Sequence, residues 1–364
     1  MTYKKITILS IGSLLIAGIT YIVSTHNVTI LPKPTGEYAV GFTAYQLIDT
    51  SRPESQVEHG NAHRELMINV WYPAQQTSDE KRLYASPLSL PVLKEGFSML
   101  SKQSEVSAEQ FSIEHFAYVD SLRSHAVSNA PIAQKQASYP VLVFAPGFGA
   151  TCQLYSSLLE EIASHGYIIV GINFPHISNP VEFPDGRVVK ADIVYREPAE
   201  MRAYKDLQYP TLLDDITFVI GQLEIINNNA QHFLYHKLDL QKVGMLGHSF
   251  GGTATIGICQ TDTRIKVGVD MDGKLNVWNL GKPLIVPCVF LIALHPADMT
   301  DPIKKLSQDA TVAGQYIELN EMHHGSFGDY YFFVKPNPAL NLHPHKDIEL
   351  IRALLLKILG EYLA

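Results

Sequence analysis

Cysteine is nearly absent: Cys152, Cys259 and Cys288 are the whole complement of a 364-residue chain. Three thiols cannot build a disulfide framework, and none sits in a Cys-x-x-Cys pair. Cys259 and Cys288 fall in apolar runs and are expected to be buried packing thiols. Positive charge is also short. Lys and Arg number 28 against 36 Asp and Glu, a net charge of −8, with the two signs interspersed. No basic face exists to neutralise phosphates, so a nucleic-acid partner is not expected. The chain has no repeat, no low-complexity tract, no Gly-x-Gly-x-x-Gly, no phosphate loop and no calcium loop, and no cofactor is implied. No metal is expected either. His59 and His63 have ligand-like spacing, but Gly60 and Asn61 argue against the helix that would align them. His343-Pro344-His345 suits a solvated tail better than a metal site.

What the chain has begins at its N-terminus. Lys4 and Lys5 precede an uncharged apolar run over 6–24. A short basic region followed by such a run is an export signal. As a helix it would be about 28 Å long, close to a bilayer's hydrocarbon thickness. Residues 1–33 are therefore expected to be a retained membrane anchor or a cleaved signal with its linker. Either route puts the body outside the cytoplasm, anchored or secreted, with the lysines left inside. Residues 34–364 then form one catalytic-size domain. Early strands are expected over 38–47 and 66–72 as an antiparallel pair. The polar stretch 77–129 lacks a clear strand and reads as a helical insertion or lid. In it Phe97, Met99, Leu100, Phe111 and Phe116 are expected to pack on the body rather than to form an interfacial face.

Beyond that stretch strand and helix alternate. Strands are expected over 141–145, 167–174, 242–246, 265–270, 284–294 and 315–319. Helices are expected over 152–164, 212–226, 250–259 and 347–362. The alternation implies an α/β fold, a mostly parallel central sheet with helices on both faces. Within it Gly247-His248-Ser249-Phe250-Gly251 follows an apolar strand and opens a helix. That context turns a Gly-x-Ser-x-Gly match into a nucleophile turn of an α/β-hydrolase fold. Glycines at 247 and 251 let the backbones close around a strained serine. Ser249 is the expected nucleophile. A serine hydroxyl needs an oriented imidazole, and in this fold the partners follow in the order Ser, acid, His. His295, His323, His324, His343 and His345 satisfy that order. His324 is favoured because it follows the last strand, with His323 as the alternative base. Asp270, Asp272, Asp298 and Asp301 are all open as the acid. The oxyanion amides are expected at Phe250 and at Phe148, in the Pro146-Gly147-Phe148-Gly149 loop after 141–145.

The runs Pro34-Thr35-Gly36-Glu37-Tyr38-Ala39-Val40-Gly41 and Phe183-Pro184-Asp185-Gly186-Arg187, with 49–54 and 247–252, resemble the plasma-type platelet-activating factor acetylhydrolases and their bacterial relatives. The resemblance runs from about Pro34 to the final helix. It implies a calcium-independent Ser-His-Asp esterase that releases short or oxidised acyl chains from phospholipids. It implies Asp272 as the acid, leaving Asp298 as the alternative. It also implies His324 as the base in a His-x-x-Phe-x-Asp pattern with Phe327 and Asp329, and Phe148 as the second oxyanion donor. Gly273-Lys274 stand where the family often has an aromatic, and Pro146 replaces a histidine of the animal enzymes; both bear on substrate choice. A general short-chain esterase, dienelactone-hydrolase-like or polyester-cleaving, is the alternative within enzymes. A membrane-tethered scaffold without catalysis is the alternative outside them. Oligomeric state is not legible.

Overall fold

The computed structural model describes residues 31–54, 62–75, 80–94, 122–191, 198–333 and 342–364. The expected export segment falls outside them except for 31–33. Among the described residues no helix is long and apolar enough to cross a membrane.

Strands β1 (Ala39–Pro53) and β2 (His63–Ala74) pair antiparallel, as the early β-formers predict, with the register slipping between Asp49 and Pro53. Then come β3 (Val127–Ser128) and β4 (Tyr139–Ala145), a 3₁₀ turn and helix α1 (Ser156–Ser164), and β5 (Ile168–Asn173). A two-residue hairpin, β6 (Val181–Glu182) with β7 (Val188–Val189), precedes the long helix α2 (Pro198–Asn228). Strand β8 (Leu238–His248) leads directly into α3 (Phe250–Cys259), followed by β9 (Val267–Met271) and β10 (Cys288–Ala293). Helix α4 (Ala297–Asp309), β11 (Gly314–Leu319) and α5 (Pro344–Leu363) complete the order.

Nine strands form one sheet in the order β11-β10-β9-β8-β4-β5-β2-β1-β3. From β5 to β11 every pairing is parallel. Strands β5, β9 and β10 are buried at every position, as parallel strands covered on both faces must be. The pleat sorts neighbouring residues to opposite cores. Leu142, Phe144, Leu246 and Leu291 face α1 and α5, while Val141, Val143, Met245 and Phe290 face α2 and α3. All three cysteines are free and buried, as the apolar runs around Cys259 and Cys288 imply.

This ordering positions the site. The chain leaves β4 through α1 to β5 on one side, then returns through α2 to β8 on the other. The carboxyl ends of β4 and β8 thus lie side by side where the winding reverses, and ligands bind at such a switch point. Ala145 pairs with Gly247 in register, which brings the loop after β4 beside Ser249.

Three expectations need correction. Helix α2 begins at Pro198 rather than near 212, because Pro210 is accommodated within it and its partly exposed first half has little apolar periodicity. Helix α4 was not expected, since Pro302 interrupts a polar run in which only Thr300 and Ile303 are buried. The 77–129 stretch does contribute a strand: β3 adds parallel to β1 at the sheet edge. Its residues 80–94 and 122–129 pack Tyr84, Val92, Leu93, Leu122 and Ala126 onto the body. Phe97, Met99, Leu100, Phe111 and Phe116 lie outside the described residues.

One buried charge group ties α2 to the sheet. Arg64 on β2 reaches Asp215 on α2 at 2.6 Å and Glu54 at 2.8 Å, and Arg52 meets Asp215 at 2.9 Å. Removing one partner of such a group strands a buried charge, at a cost of about 3–5 kcal/mol. Asp215→Ala is therefore expected to lower the denaturation midpoint sharply, measured by urea unfolding; a midpoint close to wild type would contradict the pairing.

Candidate active site

Strand β8 ends in a corner that only small neighbours allow. Ser249 has φ +55° and ψ −116°, a conformation an L-residue adopts only when its surroundings impose it. A Cβ at Gly247 would collide with the Gly251 carbonyl, and one at Gly251 with the Ala145 carbonyl. Both glycines of the motif are thus steric necessities. The Ser249 N–H donates to the Met271 carbonyl at 2.9 Å, which pins the corner to β9.

Asp272 and His324 meet Ser249 from the ends of the neighbouring strands. Asp272 follows β9 with φ +58°, its N–H bound to the Leu291 carbonyl. Its buried carboxylate collects three donors: the Ala293 N–H at 2.8 Å, His295 Nε2 at 2.9 Å and His324 Nδ1 at 2.5 Å. A carboxylate only accepts, so both rings present N–H to it. His324 Nε2 is then left as an acceptor, 2.9 Å from Ser249 Oγ. Burial alone would raise the Asp272 pKa. Hydrogen bonds from His295 and His324, joined by the positive charge of either ring when it is protonated, outweigh it and hold the carboxyl well below the usual range.

The other expected residues fall elsewhere. Asp298 is exposed in the first turn of α4 and lines a cavity without bonding His324. Asp270 is buried, with Oδ1 accepting the Gly273 N–H, and burial pushes its carboxyl far up. Asp301 is exposed on α4. The His323 ring stands edge-on to Tyr331, with centroids 6.3 Å apart. His345 packs against Phe332. Among the described residues, no hydrogen bond occupies the backbone N–H of Phe148 or Phe250. Asp272, His295 and His324 are close enough to share a cation, their donor atoms lying within 4.8 Å. Both rings already direct protons at the carboxylate, so a metal would have to dismantle that arrangement.

Three contributing residues were not assigned these parts from the sequence. His295 satisfied the order rule for a base, yet its ring bonds the Asp272 carboxylate. His248 was only the variable position of the motif, and Tyr155 carried no signal at all. The Gly147 N–H donates to Tyr155 Oη at 3.1 Å, and Tyr155 lies 2.8 Å from His248 Nδ1. His248 Nε2 lies 2.9 Å from the His324 carbonyl, which can only accept. The ring is therefore the Nε2–H tautomer, with Nδ1 receiving the tyrosine proton. Burial, reinforced by nearby His324, lowers its pKa to about 3 and keeps it neutral. The β4 loop and the His324 loop are thereby tied together through the motif's own histidine.

Behind them Asp329 anchors the His324 loop to helix α1. It accepts from the Ser157 N–H and hydroxyl and from Tyr84 Oη. Two cavities open at Ser249. One, of about 800 Å³, is walled by α2, α4 and the loop after β9; the other, of about 400 Å³, runs under Phe148, Tyr155 and Tyr331.

The fold and this row of side chains define an α/β-hydrolase with a serine, histidine and aspartate in hydrogen-bonded sequence. The solved ferulic acid esterase from Streptomyces cinnamoneus superposes with a TM-score of 0.69 at 20% identity, covering 92% of each chain. The resemblance expected from the sequence motifs holds. Residues 22–179 match the family described as platelet-activating factor acetylhydrolase, isoform II. The platelet-activating factor acetylhydrolase of Canis lupus familiaris is 25% identical over 327 residues, 83% of this chain and 69% of that one. A "Probable 1-alkyl-2-acetylglycerophosphocholine esterase" of Arthroderma benhamiae is 31% identical over 137 residues, 37% of this chain. That match spans about a third (32%) of the fungal protein's length.

Burial raises the Asp329 pKa to about 7, against the hydrogen bonds from Ser157 and Tyr84 that lower it. A carboxyl raised on folding favours the native state fully below its unfolded pKa, and that contribution is lost as pH climbs through about 7. Stability is expected to fall across that window by up to about 1.4 kcal/mol per pH unit. Asp329→Asn, which cannot ionise, should flatten the dependence in thermal melts from pH 4 to 8. An identical slope in the variant would contradict the assignment.

Proposed function

We propose that this chain is a serine carboxylic-ester hydrolase of the platelet-activating-factor-acetylhydrolase type, working through an acyl-enzyme. The reading rests on one observation: His324 lies between Asp272 and Ser249, with Nδ1 2.5 Å from the carboxylate and Nε2 2.9 Å from the hydroxyl. Ser249 Oγ attacks the ester carbonyl carbon while His324 takes its proton. Asp272 stabilises the resulting imidazolium. The Phe148 and Phe250 amides, at the β4 loop and the positive end of α3, stabilise the oxyanion. The carbon–oxygen bond to the alcohol then breaks, and the alcohol leaves with the proton from His324. Water, deprotonated by the same ring, releases the acid and restores Ser249.

Phospholipids with short or oxidised acyl chains are the leading substrate class on this reading, supported by the family match and by the dog and fungal relatives. Residues 1–33 serve as signal or anchor and deliver the domain outside the cytoplasm. The breadth of the 800 Å³ cavity also suits a general short-chain esterase. An acyl-length series separates the two: a steep decline beyond short chains with phospholipids preferred supports the first, and indifference to the head group supports the second.

Ser249→Ala is expected to reduce p-nitrophenyl acetate turnover at least about a thousandfold. Turnover retained in that variant would reject the nucleophile. Tyr155→Phe removes only the hydroxyl joining Gly147 to His248. It should lower kcat about tenfold with little change in KM, since one neutral hydrogen bond orients both loops. A kcat equal to wild type would show that this link does not position the site.

A further inference from the structure

If the chain is an ester hydrolase, the wall of its larger cavity says which esters it favours. Lys205, on the first half of α2, lines both cavities beside Ser249. Its ammonium lies 5.3 Å from the centre of the Phe148 ring. Among the described residues no hydrogen bond or ion pair neutralises it. Burial, with the positive charge of Lys274 adding to it, lowers its pKa to about 8. Lys274 stands on the opposite wall, also lowered by burial and by Arg202, while Asp272 and Asp298 oppose the shift. Arg202 is exposed one turn before Lys205 on the same helix.

The described acids around the cavity do not cancel this charge at Lys205. Asp272 is committed to two imidazoles, and Asp298 faces Lys274 from the first turn of α4. Asp206 lines the outer wall, where its carbonyl accepts the Trp278 indole N–H. Among the described residues Lys205 is thus left facing like charge, a half-buried ammonium without a counter-ion. Such a group is costly by itself and is relieved when an anion arrives. Met201, Leu275, Val277, Leu280 and Met299 supply apolar surface for the remainder of a ligand.

We infer that Lys205, with Lys274 and Arg202, binds an anionic group, a phosphate or carboxylate, carried by the ester substrate in the larger cavity beside Ser249. The site selects substrates by charge before any acyl-chain preference acts.

The test compares three small acetyl esters on the full chain: acetyl glycerol phosphate (anionic), glycerol monoacetate (neutral) and acetylcholine (cationic). The anionic ester should exceed both others in kcat/KM by about tenfold or more, as a charge-assisted hydrogen bond provides. Lys205→Met should cut that ratio about tenfold, and Lys274→Met should move it the same way. A wild-type ratio near one, or a ratio that survives both substitutions, overturns the inference. Calorimetric titration of the Ser249→Ala protein with glycerol phosphate reads binding without turnover, and Lys205→Met should weaken it about tenfold. Binding without hydrolysis of any ester refutes the esterase reading but keeps the anion site. Hydrolysis of the neutral ester without glycerol phosphate binding refutes the anion site alone. Inorganic phosphate distinguishes the source: weaker binding than glycerol phosphate supports a substrate-borne anion, and equal binding overturns that assignment.

Discussion

The carboxylate of Asp272 is the point from which the rest of the site is organised. Buried at the end of β9, it is offered a backbone N–H from β10 and ring N–H groups from His295 and His324. Three donors to one acid decide its ionisation, and its ionisation decides which nitrogen of His324 carries the proton. A neutral carboxylic acid there would present its own hydrogen and free the ring to turn. The Ser249–His324 geometry is therefore a consequence of how Asp272 is solvated by protein.

That arrangement is affordable only because the sheet supplies rigid ends. Ser249, Asp272, His295 and His324 stand after β8, β9, β10 and β11, four adjacent parallel strands. The loop bearing Phe148 follows β4, on the other flank of β8. Strain at Ser249 and Asp272, both with positive φ, is held by hydrogen bonds into neighbouring strands. A neutral histidine buried between the two loops closes the ring of contacts. Functional geometry here is carried by strand register, with loops only a few residues long between register and chemistry.

The sequence made much of this legible, for reasons that differ by residue. Ser249 was readable because its corner excludes side chains, and exclusion leaves glycines in the text. The parallel sheet was readable because strands buried on both faces are continuous apolar runs. His324 came from chain order and from the strand before it. Which aspartate meets His324 was not legible from spacing: Asp270 and Asp272 differ by two residues, and only the backbone turn at 272 sends one carboxylate to the ring and leaves the other beneath Gly252 and Gly273. The resemblance, not the residues, separated them. Tyr155, His248 and Lys205 were hidden because their meaning lies in contacts across distant segments. The apolar spacing shows helix α2 only from 212, and the half before Pro210 is the part that lines the cavities.

The central claim is that the Ser249 hydroxyl is the group activated by the His324–Asp272 pair. Treating the protein with a fluorophosphonate and mapping the adduct by peptide mass spectrometry tests it most directly. One label per chain on Ser249, lost in His324→Ala, is the result this account requires. A label on another serine, or none in the wild-type protein, would contradict it.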